Sequence, residues 1–351
     1  MRILVTGGTG FLGSHTVRAL LEFGHEPVLL VRDAERVAPA LEPLEVEADR
    51  CRIVEGDVLD EGTVEEAMTG VDALLHAANV YSLKPGQAER MRRVNVDGTR
   101  LVLHAAERRG LDPIVHVSSV VALLPSSLLT SRSPVGSPAG DYMASKAAAE
   151  RIAREFQDEG APVVITYPAA IVGPHDPHTG DTTAAYRDMI RPKARSSFAG
   201  GSGVVDVRDL AAAHARLFTP GAGPRRYLMG GHWRSCDDMY RLLAEAVGHR
   251  LPHVKVPVKV ALAAGRLADV LHRRGIDPGF AWSNAWILAN HPTFDDRDTQ
   301  RDLGVEWRPT VDSFRDMVAW LHEQGQLSSR QAGAAADVDW RLGSLTRAQQ
   351  R

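Results

Sequence analysis

Thr6-Gly-Gly-Thr-Gly-Phe-Leu-Gly13 stands between a short apolar run at residues 3–5 and a helical pattern at 11–23. Gly7 permits a tight turn, Gly10 lets the backbone approach a pyrophosphate, and Gly13 lets the helix pack closely on the sheet. The N-terminus of the helix stabilises the bound anion. Because a strand precedes the glycines and a helix follows them, we favour a dinucleotide site over a merely structural turn. Its predicted residues are Gly7, Thr9, Gly10, Phe11, Leu12 and Gly13.

Strand and helix patterns alternate along the first two-thirds of the chain. Predicted strands lie at residues 3–5, 28–31, 52–55, 73–76, 114–117, 163–166, 204–207 and 226–229. Predicted helices lie at residues 11–23, 61–69, 90–109, 142–159, 183–190, 210–218, 237–247, 258–272 and 313–323. This alternation indicates an α/β fold in which helices cover a parallel sheet.

Composition and charge exclude several classes of protein. The 351 residues carry a net charge of −3 without a polybasic field, so we expect neither a nucleic acid nor a membrane as partner. Cys51 and Cys236, the two cysteines, lie far apart in the sequence and indicate no disulfide framework. The N-terminus runs straight into a strand without a secretory signal, and no segment is apolar for long enough to cross a bilayer. We therefore expect a cytoplasmic globular protein.

Charged residues follow the second and third predicted strands, close to where the adenosine of a dinucleotide should lie. Arg32 would pair with a 2′-phosphate and select NADP, whereas Asp33 would accept from a ribose 2′-hydroxyl and select NAD. A charged strand end in solvent is the alternative for both residues. Asp57, followed by Val58, would present its carboxylate to the adenine amine or, alternatively, cap the next helix. We predict NADP as the preferred cofactor and keep NAD as the alternative.

Further cofactor contacts are predicted at the ends of the later strands. Small residues after the fourth strand would let the cofactor approach, and the backbone after the sixth could clamp the nicotinamide. Asn95, within the helix at 90–109, is expected to form hydrogen bonds to strand ends near the site. A purely structural role for Asn95 is the alternative. The predicted contacts are Ala77, Ala78, Asn95, Ser118, Pro168, Ala169 and Ile171.

One pair of residues and one serine suggest carbonyl chemistry. Tyr142 and Lys146 are four apart and therefore share one helix face, where an ammonium near the phenol would lower its pKa. Ser119 ends the fifth strand, where its hydroxyl could hold a substrate carbonyl oxygen. Many surface helices carry a Tyr and a Lys at this spacing, so the interpretation depends on the upstream glycine loop and serine.

The loop after the sixth strand carries side chains of types that bind metals. His175, Asp176, His178 and Asp181 crowd this loop. Residues beside Pro and Gly are more often turn formers or substrate contacts, so we predict no metal site.

Taken together, these motifs resemble the extended short-chain dehydrogenases/reductases, the epimerase/dehydratase-type superfamily. The matching stretches are residues 6–13, Gly56-Asp57-Val58, His76-Ala-Ala78, Asn95-Val-Asp-Gly-Thr99, Val117-Ser-Ser119, Tyr142-Met-Ala-Ser-Lys146 and Val205-Asp-Val-Arg-Asp-Leu-Ala211. The resemblance covers about residues 1–325 and implies Ser119, Tyr142 and Lys146 as the catalytic set, with Lys146 also binding the nicotinamide ribose. It implies a Rossmann doubly wound sheet (1–168 and 203–230) and a smaller discontinuous substrate domain (169–202 and 231–325), leaving 326–351 as a flexible tail.

Two departures from the family pattern favour its dihydroflavonol-reductase-like branch. Nucleotide-sugar members usually carry an arginine just before the motif at 205–211, where this chain has Gly201-Ser-Gly203. They also often have Arg-Pro where Tyr167-Pro168 stands. We therefore expect an oxidoreductase acting on the carbonyl or alcohol of a small apolar molecule. A nucleotide-sugar epimerase or dehydratase with bound NAD and a non-catalytic dinucleotide sensor are the alternatives. The resemblance also suggests a homodimer formed through the helices at 90–109 and 142–159.

Overall fold

The computed structural model describes residues 1–191, 195–276, 278, 280–290 and 292–341. Its strands are β1 (Arg2–Thr6), β2 (Glu26–Val31), β3 (Arg52–Glu55), β4 (Ala73–His76), β5 (Ile114–Val117), β6 (Leu128–Leu129), β7 (Val163–Pro168), β8 (Ala170–Val172), β9 (Ser196–Ser197), β10 (Gly201–Asp206), β11 (Arg225–Met229), β12 (His232–Ser235), β13 (Val254–Lys255) and β14 (Thr293–Phe294).

The helices are α1 (Phe11–Glu22), α2 (Val37–Leu41), α3 (Glu61–Ala67), α4 (Ala88–Met91), α5 (Gly98–Arg108), α6 (Asp141–Asp158), α7 (Asp181–Ile190), α8 (Val207–Ala215), α9 (Cys236–Val247), α10 (Val258–Arg273), α11 (Trp282–Asn290), α12 (Arg297–Leu303), α13 (Thr310–Glu323) and α14 (Ser329–Ala332). A π-helical segment at Arg92–Asp97 joins α4 to α5.

Seven parallel strands form the central sheet in the order β3-β2-β1-β4-β5-β7-β11. The chain order reverses between β1 and β4, and ligands of open α/β sheets bind in the crevice at such a reversal. A separate sheet of three strands, β12-β10-β8, is formed by residues 170–235. The α/β class and the Rossmann sheet expected from the sequence are therefore confirmed.

The strands carry apolar side chains toward both faces of the central sheet. Leu4 belongs to one buried cluster, whereas its neighbours Ile3 and Val5 belong to another. Leu74 and Leu75 divide in the same way. Successive side chains of a strand point to opposite faces, so both faces are covered. Continuous apolar runs are typical of such doubly covered parallel strands.

The expectation of a flexible tail is wrong for the part of it that the structure describes. Leu327, Ala332 and Trp340 are buried in a third apolar cluster. The indole Nε1 of Trp340 donates to Glu323 Oε2 at 2.6 Å. Buried alanines and one tryptophan fill gaps beside α9 and α13 without repeating at a helical period, which is why the sequence showed no apolar stripe. Residues 342–351 lie outside the described part.

Two element boundaries differ from the sequence prediction for physical reasons. Val207, predicted in a strand, begins α8 because Asp206 caps this helix by accepting from the Arg208 N–H at 2.8 Å. The helix predicted at 90–109 is interrupted by the π-helical segment Arg92–Asp97. Such interruptions occur frequently at functional sites.

Candidate active site

The glycine loop approaches the end of β4 too closely for any side chain. Gly7 has a φ of +76°, and a Cβ there would lie 2.8 Å from the Ala78 nitrogen. A Cβ on Gly13 would lie 1.9 Å from the Gly7 carbonyl oxygen. Gly10 is the N-cap of α1 and supplies no capping side chain. The N–H groups of the first helical turn are therefore left for an anion, which is what a dinucleotide pyrophosphate requires.

Arg32 and Asp33, the two residues that follow β2, differ in whether other residues already bond their side chains. Asp33 accepts from the Glu35 N–H at 3.0 Å and pairs with Arg36 at 3.1 Å, so its carboxylate is used within its own turn. Arg32 is exposed, and its guanidinium has no hydrogen bond or ion pair with another described residue. Of the two residues weighed for cofactor choice, Arg32 is thus the one available to a ligand.

Asp57 does not cap the helix that follows it. Its carboxylate accepts from the Leu59 N–H at 3.0 Å within its own turn. The cap of α3 is Asp60, which accepts from the N–H groups of Gly62 and Thr63. The cap of the next helix, which was the structural alternative for Asp57, is therefore formed by Asp60.

Asn95 lies in the π-helical segment and joins two parts of the site. Its Oδ1 accepts from the Val80 N–H at 2.7 Å, and its Nδ2 donates to the Val80 carbonyl at 3.0 Å. The same Nδ2 donates to Ser145 Oγ at 3.0 Å. The loop after β4 is thereby held against α6, the helix that carries Tyr142 and Lys146.

Tyr142, Ser119 and Lys146 lie together at the end of β5. The side chains of Ser119 and Asn79 lie close enough to the Tyr142 hydroxyl to act on its pKa, which both of them lower. The Lys146 Nζ donates to the Val117 carbonyl at 2.9 Å. Ser119 Oγ accepts from the Val121 N–H at 3.3 Å, at the start of the turn that follows the strand. Tyr142 and Ser119 are thus neighbours, and Lys146 is fixed to Val117, two positions before Ser119.

The expected lowering of the Tyr142 pKa is wrong for this structure. Desolvation raises the pKa of Tyr142 to about 12, although hydrogen bonds from Asn79 and Ser119 act in the opposite direction. Desolvation also lowers the pKa of Lys146 to about 8, although the charge of Glu150 raises it. The Lys146 ammonium is bonded to a strand carbonyl, so it does not offset the desolvation of the phenol.

The remaining predicted residues follow the carboxyl ends of the same parallel strands. Ala77 donates its N–H to the Thr6 carbonyl at 3.2 Å, and the Ala78 N–H donates to Thr6 Oγ1 at 3.1 Å. Ser118 is buried, and its Oγ has no hydrogen-bond partner among the described residues. Because every strand of the sheet is parallel, all of these positions lie at the edge formed by the carboxyl ends of the strands. They are Thr9, Phe11, Leu12, Val58, Ala77, Ala78, Ser118, Pro168, Ala169 and Ile171.

Several site residues were missed by the sequence reasoning. The rings of Tyr81 and Tyr142 meet edge to face with centroids 4.9 Å apart, and the Tyr81 hydroxyl bonds Thr182 at 2.8 Å. Tyr81 therefore borders the cleft together with Asn79. No spacing rule links these residues to α6. Their position directly after the end of β4 was the only available signal.

Tyr167 occupies the position where family members often have an arginine. Its hydroxyl donates to Glu150 Oε1 at 2.7 Å and accepts from Arg154 at 3.0 Å. Glu150 is fully buried, and Tyr167 and Arg154 both bond its Oε1, whereas its Oε2 has no hydrogen-bond partner among the described residues. The phenol thus ties β7 to α6 and is not available to a substrate diphosphate.

The motif at residues 205–211 is structural. Arg208 is buried and pairs with Asp206 at 2.9 Å and with Asp316 of α13 at 2.7 Å. Arg308 pairs with Asp209 at 2.6 Å. Burial alone would raise the pKa of Asp206, but the two guanidinium groups outweigh it and lower this pKa. These ion pairs join α8 to the C-terminal helices.

The loop after β8 borders a cavity of about 540 Å³, which reaches Thr9 but not Tyr142. His175 Nε2 bonds the Ala40 carbonyl at 2.9 Å, and Asp176 accepts from Thr183 Oγ1 at 2.7 Å. His175 and Thr179 have φ angles of +55° and +44°. Loop and helix contacts thus occupy three of the four side chains considered as metal ligands, since Asp181 also accepts from the Leu83 N–H at 2.6 Å.

Comparison with known proteins identifies the family. Residues 3–230 match the NAD dependent epimerase/dehydratase family. The chain is 31% identical to sterol demethylase protein B of Methylococcus capsulatus, over 93% of this chain and 100% of that protein. It is 29% identical to a putative dihydroflavonol 4-reductase of Synechocystis sp., over 93% and 96% of the two chains. The dTDP-glucose 4,6-dehydratase DesIV of Streptomyces venezuelae, solved with NAD bound, is 25% identical, with a TM-score of 0.71 over 94% of this chain and 100% of that one.

These similarities extend over nearly the whole chain and agree with the glycine loop, the sheet order and the residues at the sheet edge. The resemblance inferred from the sequence is therefore confirmed. The chain belongs to the NAD-dependent epimerase/dehydratase family of extended short-chain dehydrogenases/reductases and is an enzyme of the NAD(P)-dependent oxidoreductase type.

Proposed function

We propose that this enzyme interconverts a carbonyl and an alcohol on a small, largely apolar molecule and prefers NADPH. The placement of Tyr142, Ser119 and Lys146 at the end of β5, at the same edge of the parallel sheet as the glycine loop, carries this proposal. When bound, the cofactor supplies the hydride. The glycine loop, Arg32 and Lys146 would hold it.

Each of the three side chains has a role that suits its surroundings. Ser119 donates to the substrate carbonyl oxygen and stabilises the charge that develops there. Tyr142, whose pKa is raised to about 12, keeps its proton at neutral pH and transfers it to that oxygen. Lys146, whose pKa is lowered to about 8, is still largely an ammonium at neutral pH. It would donate to the ribose hydroxyls of the cofactor.

The walls of the cleft favour an apolar substrate over a nucleotide sugar. Where nucleotide-sugar members usually carry an arginine, Cβ atoms on Gly201 and Gly203 would lie 2.4 and 2.3 Å from carbonyl oxygens. The ring of Tyr81 lies beside that of Tyr142. Trp286 of α11 packs against the buried apolar cluster that Tyr142 also contacts. The names of two relatives, sterol demethylase protein B and a putative dihydroflavonol 4-reductase, support substrates of this kind.

A substrate panel tests the proposed reaction. With apolar ketones and aldehydes, including a steroid ketone, NADPH consumption should reach a rate on the order of 1 s⁻¹ for at least one compound. Consumption would be followed by the absorbance of NADPH. UDP-glucose and dTDP-glucose should neither be converted nor raise the unfolding temperature. An enzyme that keeps NAD through purification and converts dTDP-glucose without consuming NADPH would instead be a nucleotide-sugar dehydratase or epimerase.

The choice of cofactor is tested at Arg32. Arg32→Ala should weaken NADPH binding by about tenfold or more and NADH binding by less than about threefold, because only NADPH offers a 2′-phosphate. Dissociation constants of both cofactors would be measured by calorimetry. Arg50→Ala removes another exposed charge from the same part of the chain and serves as the control. Equal losses for both cofactors in Arg32→Ala would show that Arg32 does not read the phosphate.

A further inference from the structure

Helix α10 buries small residues and exposes large ones. Ala261, Gly265 and Ala268 form its buried side. A Cβ on Gly265 would lie 2.6 Å from the Trp282 Cα, so α10 and α11 pack in close contact. On the outside, Leu267 is 63% exposed and Val260 is 53% exposed. A helix of a globular protein normally turns its large apolar residues inward, so this face requires another explanation.

Exposed apolar residues concentrate in this region. Among the described residues, the large apolar side chains with the highest exposure are Val254, Leu267, Ile276, Val260, Leu128 and Val270. All except Leu128 lie between positions 254 and 276. Single exposed apolar residues are ordinary on a protein surface, whereas a concentrated group marks an interaction surface.

The same region is basic within an acidic chain. Residues 250–290 contain six Lys or Arg, two Asp and no Glu, although the whole chain has a net charge of −3. Lys259, Arg266, Arg273 and Arg274 are exposed on or just after α10, and none forms an ion pair with another described residue. We call Val260, Leu267, Val270 and Ile276 together with these four cations the α10 face. Apolar residues flanked by unpaired cations are typical of helices that lie on anionic membrane surfaces.

We propose that the α10 face docks this enzyme on the surface of an anionic lipid bilayer. Charge complementarity selects this occupant, because the cations attract anionic headgroups while the apolar side chains enter the acyl boundary. A second copy of the chain would bring the same cations together across a two-fold axis. None of the helices in the described residues could span a membrane, so the docking is peripheral. This proposal replaces the expectation that the protein has no membrane partner.

The α10 face lies one helix away from the candidate active site. Trp286 and Ile287 of α11 pack against the apolar cluster that Tyr142 also contacts. Gly140, which precedes α6, would place a Cβ 3.1 Å from Ser283 Oγ of α11. A docked enzyme would therefore hold its cleft close to the lipid, where apolar substrates collect. The docking itself does not depend on the proposed reaction and is measured without turnover.

Vesicle flotation of the full chain tests the proposal. The protein should float with phosphatidylcholine vesicles that contain about 30% phosphatidylglycerol and remain unbound with phosphatidylcholine alone, because the cations need anionic lipid. Leu267→Glu should reduce the bound fraction by about tenfold or more. Replacing Arg273 and Arg274 by Gln should reduce it roughly fivefold per charge. Added salt should weaken binding of the wild type in the same direction.

Ile53→Glu is the matched control. Ile53 is also an exposed apolar residue, 36% accessible, but it lies on β3 at the edge of the sheet. This variant should bind vesicles within about threefold of wild type. The proposal is overturned if the wild type does not float with anionic vesicles or if Leu267→Glu floats equally well. It is also overturned if Leu267→Glu converts a dimer to a monomer in lipid-free buffer, since a second copy would then cover this face. The unfolding temperature of each variant shows that it is folded.

Discussion

Tyr142→Phe should lower kcat for carbonyl reduction by about 10²- to 10⁴-fold while NADPH affinity stays within a few-fold of wild type. The phenylalanine keeps the ring that packs against Tyr81 but removes the hydroxyl, which lies beside Ser119. A positioned proton donor contributes this range of rate acceleration. Steady-state kinetics and calorimetric cofactor binding would separate the two effects.

Tyr81→Phe is the control for this variant. It removes a hydroxyl from the neighbouring ring, where the lost bond is the one to Thr182 at 2.8 Å. Turnover should change only a few-fold. If Tyr142→Phe retains turnover within a few-fold of wild type, or if both variants lose activity equally, then Tyr142 is not the proton donor.

The pH profile separates Tyr142 from Lys146. Burial lowers the pKa of Lys146 to about 8, so its ammonium is present below this pH and lost above it. The pKa of Tyr142 is raised to about 12, so the phenol keeps its proton throughout that range. A fall of kcat/KM as the pH rises through about 8 would therefore belong to Lys146. The residual activity of Tyr142→Phe should show the same fall of kcat/KM near pH 8. If the fall is absent in this variant, then it belongs to Tyr142.

The sequence predicted those features that local rules control. The glycine loop at residues 6–13 lies between a strand and a helix, so the nature of the turn follows from its neighbours in the chain. The same holds for the strands, because apolar runs buried on both faces differ in pattern from amphipathic helices. Once the sheet is parallel, Ser119 at the end of β5 and the glycine loop must lie at the same edge.

Features that depend on distant partners could not be predicted in this way. Asn95 bonds Ser145, a residue fifty positions away, through a π-helical segment that has no known sequence signal. The direction of the Tyr142 pKa shift followed from desolvation in the folded cleft, not from the spacing to Lys146. Trp340 is buried in an apolar cluster and on the ring of His175, and its indole nitrogen donates to Glu323 at the end of α13. Each of these depends on tertiary contacts and not on a local pattern.

Arg208→Met should lower the free energy of unfolding by about 3 to 5 kcal/mol, because it removes the guanidinium that pairs with two interior carboxylates and leaves Asp206 with only Arg308 at 3.6 Å. Asp206 is fully buried, and Asp316 is largely so. The methionine fills much of the space of the arginine stem. The loss of stability should therefore come from the missing positive charge more than from lost packing volume. Urea denaturation monitored by circular dichroism would measure it.

Arg241→Met is the matched control, because Arg241 forms an exposed ion pair with Asp238 at 3.2 Å. Exposed pairs contribute less than about 1 kcal/mol, so this variant should unfold almost as the wild type does. If the loss in Arg208→Met comes from uncompensated charge, then adding Asp206→Asn and Asp316→Asn should recover part of it. A loss of equal size in the Arg241 and Arg208 variants, or no recovery in the triple variant, would contradict this account. The motif at 205–211 would then have to be explained by contacts other than its ion pairs.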